Sequence, residues 1–174
     1  GTEGGLVRHE KGSFEVFTTA DGLSSNRLRV VYADRDEPGT LWLGTIDAGL
    51  NRWNNGVTSR WTTTDGLTQD NIRWLLEDRS GVLWIGTENG VNVLRDADTT
   101  TVETILTGVR TRCAYEDADG TIWFGTTGRG LLRFRNGQLT SFARQAGLPT
   151  DNIWAIQEDD EGYLWLGGPE GLAR

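Results

Sequence analysis

The chain has 174 residues, among them 24 glycines, 8 tryptophans, one cysteine and no methionine. Seventeen basic against 25 acidic residues leave a net charge of −8, which repels phosphate backbones and argues against nucleic acid as a partner. No apolar run approaches the roughly 18 residues of a membrane span and no charged-then-apolar leader is present, so this segment is not expected to cross a membrane.

The first residues, "GTEGGLVR", match the interior of a later unit, "GTIDAGLNR", and the chain lacks an initiator. It therefore reads as an internal piece of a longer polypeptide. "GGLVRHEK" and "SFEVFTTA" form the third and fourth strands of a partial blade over residues 1–20. A full unit follows over 21–64. In "RLRVVYAD" Leu28, Val30 and Tyr32 alternate with Arg29 and Val31, as expected of an inner strand apolar on both faces. The turn "DRDEPG" leads to "TLWLGT", where Leu41 and Leu43 face one way and Trp42 and Gly44 the other. "GLNRWNN" makes a third strand and "GVTSRWTTT" a fourth, with polar content rising outward.

The same order returns over 65–106, beginning "DGLTQDNIRWLLED", over 107–145, beginning "TGVRTRCAYED", and over 146–174, where "DNIWAIQED", "YLWLGG" and "EGLAR" supply three strands of a last, partial unit. Trp42, Trp84, Trp123 and Trp165 recur at spacings of 42, 39 and 42 residues, the period of a four-stranded propeller blade. The unit at 107 is three residues shorter than its siblings, so its corner is expected to differ. A sheet apolar on both faces must stack on copies of itself around an axis. The fold class is all-β: a β-propeller of four-stranded antiparallel blades, here a fragment with three complete blades and two partial ones. The four tryptophans are its packing plugs between blades, and helices are not expected.

The residues offer little for catalysis or metal binding. The acidic hairpins "DRDEPG", "DRSG", "DADG" and "DDEG" lack the glycine and glutamate positions of a helix-loop-helix calcium site and suit hairpin turns. His9, the sole histidine, falls on a strand near the edge and reads as a surface residue. Cys113 has no disulfide or metal partner and reads as a small buried strand residue. Neither a catalytic group nor a cofactor is assigned. The more informative signal lies five residues before the aspartate that ends each inner strand: Arg29, Arg73, Arg112 and Trp154. On strands lining the channel these would make a cationic rim with one stacking platform, suited to an anionic or sugar-like ligand. In the structural alternative each arginine lays its stem along the next blade and pairs with a turn carboxylate. A second column, Arg8, Arg52, Arg133 and Arg174, broken by Val93, lies farther from the axis and reads as structural.

"DGLSSNRLRVVYAD", "LWLGT", "AGLNRW" and "RWTTTDGL" resemble the two-component regulator propeller repeat, and the likeness runs through nearly the whole chain. It departs at "TGV", where the DGL corner is lost. The resemblance implies a ligand-sensing, periplasmic or otherwise extracytoplasmic segment of an inner-membrane two-component (phosphorelay) receptor. Its implied partners are further blades and a C-terminal histidine kinase or diguanylate cyclase module, and the arginine column adds a small-molecule ligand, an oligosaccharide or other anion. The resemblance also admits a homodimer of the full-length receptor. Rival readings are a propeller enzyme, a lyase or glycoside hydrolase, and a protein-binding scaffold.

Overall fold

The computed structural model describes residues 1–54, 56–96 and 101–174. Its strands, all paired antiparallel, fall into five sheets in chain order. The first holds β1 (Leu6–Glu10) and β2 (Ser13–Phe17). The second holds β3 (Leu28–Ala33), β4 (Thr40–Thr45), β5 (Leu50–Asn54) and β6 (Val57–Trp61). The third holds β7 (Ile72–Glu77), β8 (Leu83–Thr87), β9 (Gly90–Leu94) and β10 (Glu103–Thr107). The fourth holds β11 (Thr111–Glu116), β12 (Ile122–Thr126), β13 (Leu131–Arg135) and β14 (Gln138–Phe142). The fifth holds β15 (Ala155–Glu158), β16 (Leu164–Gly168) and β17 (Gly171–Ala173). Asn55, which the sequence reading placed at the end of a third strand, and residues 97–100, inside the unit assigned to 65–106, lie outside the described residues. Thr107, read as opening a unit, is the last residue of β10.

The period-two alternation decides which side chain meets which neighbour. Leu41 and Leu43 point toward the first sheet and join Leu6, Leu28 and Trp53. Trp42 points the other way and joins Ile72, Leu83 and Ile85 of the third sheet. Trp84 repeats this with Ile122 and Phe124, and Trp123 with Ile153 and Leu166. The core is thus a series of apolar layers between consecutive sheets, with the inner strands β3, β7, β11 and β15 in contact one with the next. Close approach demands glycine after "LW-aliphatic": a Cβ on Gly86 would sit 1.9 Å from Trp74, and one on Gly44 2.7 Å from Ile72.

Short 3-10 turns occupy Thr19–Asp21, Thr63–Asp65 and Arg144–Ala146, an element the strand-only reading did not include. In the first two, Thr18 and Thr62 form capping boxes with Asp21 and Asp65, the aspartates of "DGL". Gly22, Gly66 and Gly147 then close the turns in the left-handed region, at φ of 97°, 102° and 94°. The shortened "TGV" corner has no such turn: Gly108–Arg110 carries the chain straight from β10 to β11.

Candidate functional site

Each full inner strand begins with the same irregularity. Leu28 and Val30 pair with the adjacent residues Thr45 and Gly44, Ile72 and Trp74 with Thr87 and Gly86, and Thr111 and Cys113 with Thr126 and Gly125. The extra residue is Arg29, Arg73 or Arg112. A bulge bends the strand and re-aims the side chain of the inserted residue, so the arginine column rests on a repeated backbone feature.

The three guanidinium groups share one end of the inner strands. Arg29 Nη1 donates to Asn71 Oδ1 at 2.8 Å, and Arg112 Nε to Thr127 Oγ1 at 3.0 Å. Arg73 pairs with Glu88, which Arg110 also engages from the next sheet. Arg27 adds a pair with Asp47 at 3.1 Å. Burial lowers the pKa of Arg29, and the like charges of Arg73 and Arg112 lower it further against the opposing pull of Glu88. Burial works to raise Glu88, yet the hydrogen bond and charge of Arg73, with the charges of Arg110 and Arg29, hold it below the ordinary carboxylate range. The rim gathers five arginines about two carboxylates, Glu88 and Asp47, and only part of the bulged column follows the structural alternative: Arg73 pairs with a carboxylate, whereas Arg29 and Arg112 meet neutral oxygens. Trp154 occupies the corresponding place before β15. It is 51% exposed, while its backbone N–H donates to Gly167 O at 2.8 Å.

Arg27, Arg110 and Glu88 were not singled out from the sequence. A signal was present, because Arg27, Asn71, Arg110 and Asn152 form a column two residues before the bulged one.

The tryptophans of the "LW" pairs do more than fill space. Trp42, Trp84, Trp123 and Trp165 donate Nε1–H to Oδ2 of Asp34, Asp78, Asp117 and Asp159 at 3.0, 2.7, 2.7 and 2.6 Å. The other carboxylate oxygen accepts backbone N–H groups of the same hairpin, as Asp117 Oδ1 does from Asp119 and Thr121. These aspartates are turn residues with both oxygens engaged. Trp42 and Trp84 are buried, whereas Trp123 and Trp165 are only half-buried. In the outer column, Arg8, Arg133 and Arg174 lie over Phe17, Phe142 and Tyr163, and Arg52 over Trp42 while paired with Glu37. His9 is exposed beside Phe14, with ring centroids 4.7 Å apart. Cys113 packs into the layer formed by Leu131 and Ile153, and burial pushes its thiol up to about 11.

A family model described as two component regulator propeller matches residues 66–89, 105–128 and 147–170. Among solved structures, the extracellular domain of the putative hybrid two component system BT4673 from B. thetaiotaomicron superposes with a TM-score of 0.81 at 25% identity, over 99% of this chain and 24% of that one. The extracellular domain of the putative hybrid two component system BT3049 from the same organism gives 0.76 at 22% identity, over 98% and 24%. Virginiamycin B lyase from Staphylococcus aureus gives 0.67 at 16% identity, over 95% and 60%. The chain thus spans about a quarter of the length of the first two. No curated protein sequence matches it.

Proposed function

Because this chain carries repeats of the two-component regulator propeller family and has the β-propeller fold, we propose that it is a ligand-sensing, extracytoplasmic segment of a two-component signalling receptor. It acts by binding and domain repositioning. The observation that carries this reading is the bulged column: Arg29, Arg73 and Arg112 gathered at one rim, with the half-exposed Trp154 ring at the equivalent place of the next sheet. Guanidinium groups offer paired donors to a carboxylate or sulfate, and an open indole face stacks on a sugar ring. The ligand is an anionic small molecule, with acidic oligosaccharides the first class to try.

The segment is proposed to be non-enzymatic. Its sole histidine is an exposed neighbour of Phe14, and its sole thiol, half-buried, is pushed up to about 11 by desolvation, away from thiolate chemistry. Further blades of the same polypeptide are the proposed cover for the apolar side chains that face outward on the flanking sheets, Phe14 (73% exposed) and Leu172 (70%). A C-terminal signalling module and a homodimer of the whole receptor complete the assembly envisaged. Among the described residues no helix is long and apolar enough to cross a membrane.

The test is calorimetric titration of the chain with uronic-acid oligosaccharides. Arg112→Ala is expected to weaken binding by about 1.5 to 3 kcal/mol, the worth of a hydrogen bond to a charged group. Binding that is unaffected by that substitution would remove the rim from the reading.

A further inference from the structure

The residue that follows the second strand of each full sheet stands in one backbone place. Ile46, Glu88 and Thr127 come directly after β4, β8 and β12. Their backbone N–H groups donate to the carbonyls of Arg27, Asn71 and Arg110 at 3.0, 3.1 and 2.9 Å. The same bond, made each time to the residue two before the bulged arginine, sets all three side chains at the arginine rim. Their chemistry differs. Thr127 Oγ1 accepts from Arg112 Nε at 3.0 Å, and Glu88 Oε2 accepts from Arg73 Nε, the same contact one sheet earlier. Ile46 has no side-chain acceptor, and Arg29 donates instead to Asn71, just ahead of β7.

Glu88 is thus the one carboxylate among three equivalent positions, and it does more than its threonine counterpart. Its second oxygen meets Arg110, just ahead of β11, so a single side chain engages guanidinium groups from two sheets. Two converging guanidinium groups are what a ligand carboxylate seeks, and here the protein supplies the carboxylate itself. The Glu88 side chain is 19% exposed and that of Arg110 46%, so the arrangement opens to solvent at the rim. A tethered carboxylate competes with a free one at an effective concentration on the order of millimolar or above. Arg29 and Arg112, on the sheets to either side, donate to neutral oxygens.

Resting on the reading of the rim as an anion site, we propose that Glu88 is its built-in competitor, occupying the place of a ligand carboxylate between Arg73 and Arg110. It restricts the rim to ligands with several acidic groups, which gain Arg29 and Arg112 as well. A lone carboxylate does not displace it, whereas a short chain of uronic acids does. The charges of Arg73, Arg110 and Arg29 help hold the Glu88 carboxyl below its ordinary range, so the competitor is ionised at neutral pH.

The test is calorimetric titration with trigalacturonate and with monomeric galacturonate. Glu88→Thr, which installs the residue that the fourth sheet carries at this place, is expected to tighten trigalacturonate binding about tenfold or more. Thr127→Glu, which adds a carboxylate beside Arg112, is expected to weaken it by a similar factor. Glu37→Gln removes the same charge from the partner of Arg52 in the outer column and is expected to change nothing. A gain in affinity is a readout that damage to the fold cannot imitate, and Glu88→Gln repeats the measurement if Glu88→Thr does not fold. Galacturonate is expected to bind in the millimolar range only when Glu88 is replaced. Trigalacturonate binding that is unchanged or weaker in folded Glu88 variants, yet lost in Arg112→Ala, would overturn the competitor and leave the rim reading in place. Equal tightening in Glu37→Gln, or millimolar binding of galacturonate to the unaltered protein, would overturn it too. No binding to either the unaltered or the Glu88-substituted protein would overturn both.

Discussion

Trp84 and Trp165 stand at the same place in their repeats, make the same hydrogen bond to an aspartate six residues earlier, and yet differ in burial. Trp84 is packed between the third and fourth sheets against Phe124 and Phe134, at centroid distances of 5.8 and 5.2 Å. Trp165 is half-buried, with Arg174 lying 5.8 Å from its ring. The hairpin clamp is therefore local, fixed within the seven residues from aspartate to tryptophan, whereas the packing value of the same tryptophan depends on what stacks over it. Repetition in sequence specifies the blade, and stacking specifies its stability.

The largest expected effect separates the two. Trp84→Ala should cost about 3 to 5 kcal/mol in urea unfolding, and Trp165→Ala about 1 to 2 kcal/mol. Equal losses would show that the clamp, and not the stacking, carries the energy. A smaller contrast is expected at the glycines that follow. In Gly86→Ala the new methyl would meet Trp74 at 1.9 Å, whereas in Gly167→Ala it would find Ala155 at an ordinary 3.6 Å. The first should destabilise by about 1 to 3 kcal/mol and the second by less than about 0.5 kcal/mol, read from the same unfolding curves.

The smallest effect concerns pH. Burial works to raise the Asp78 carboxyl, but hydrogen bonds from Ser80, Trp84 and Val82 outweigh it and leave the group below its ordinary value. A carboxyl lowered on folding contributes stability above its unfolded pKa, near 3.9, and loses it as pH falls through the folded value. The stability gap between the unaltered protein and Asp78→Asn should be widest near neutrality and narrow below about pH 4. For Asp159, which is less buried than Asp78 and whose carboxyl is lowered chiefly by the Trp165 hydrogen bond, the same comparison should give the weaker pH dependence.

Several of these features could be read in advance from particular residues. Strict alternation in "TLWLGT" assigned Leu43 and Trp42 to opposite layers, because a strand has only two faces, and they lie there. The 3-10 turns were overlooked although "TTAD" and "TTTD" before glycine carry the threonine and aspartate of a capping box. The bulges had no such signal, since an extra residue is defined by the register of the partner strand. Arg29, Arg73 and Arg112 were therefore visible as a column, but not as the inserted residues that aim it. Glu88 was hidden for a related reason: it meets Arg73 across a corner and Arg110 across sheets, and neither contact has a fixed spacing in the chain.

The measurement that bears most directly on the sensing rim compares the two arginine columns in one calorimetric experiment. With an acidic oligosaccharide that binds the unaltered chain, the pair Arg29→Ala and Arg112→Ala should together abolish measurable binding. Arg8→Ala with Arg133→Ala, in the outer column over Phe17 and Phe142, should leave the affinity unchanged. Retained binding in the inner pair, or loss in the outer pair with the fold intact, would contradict the assignment of the ligand site to the channel rim.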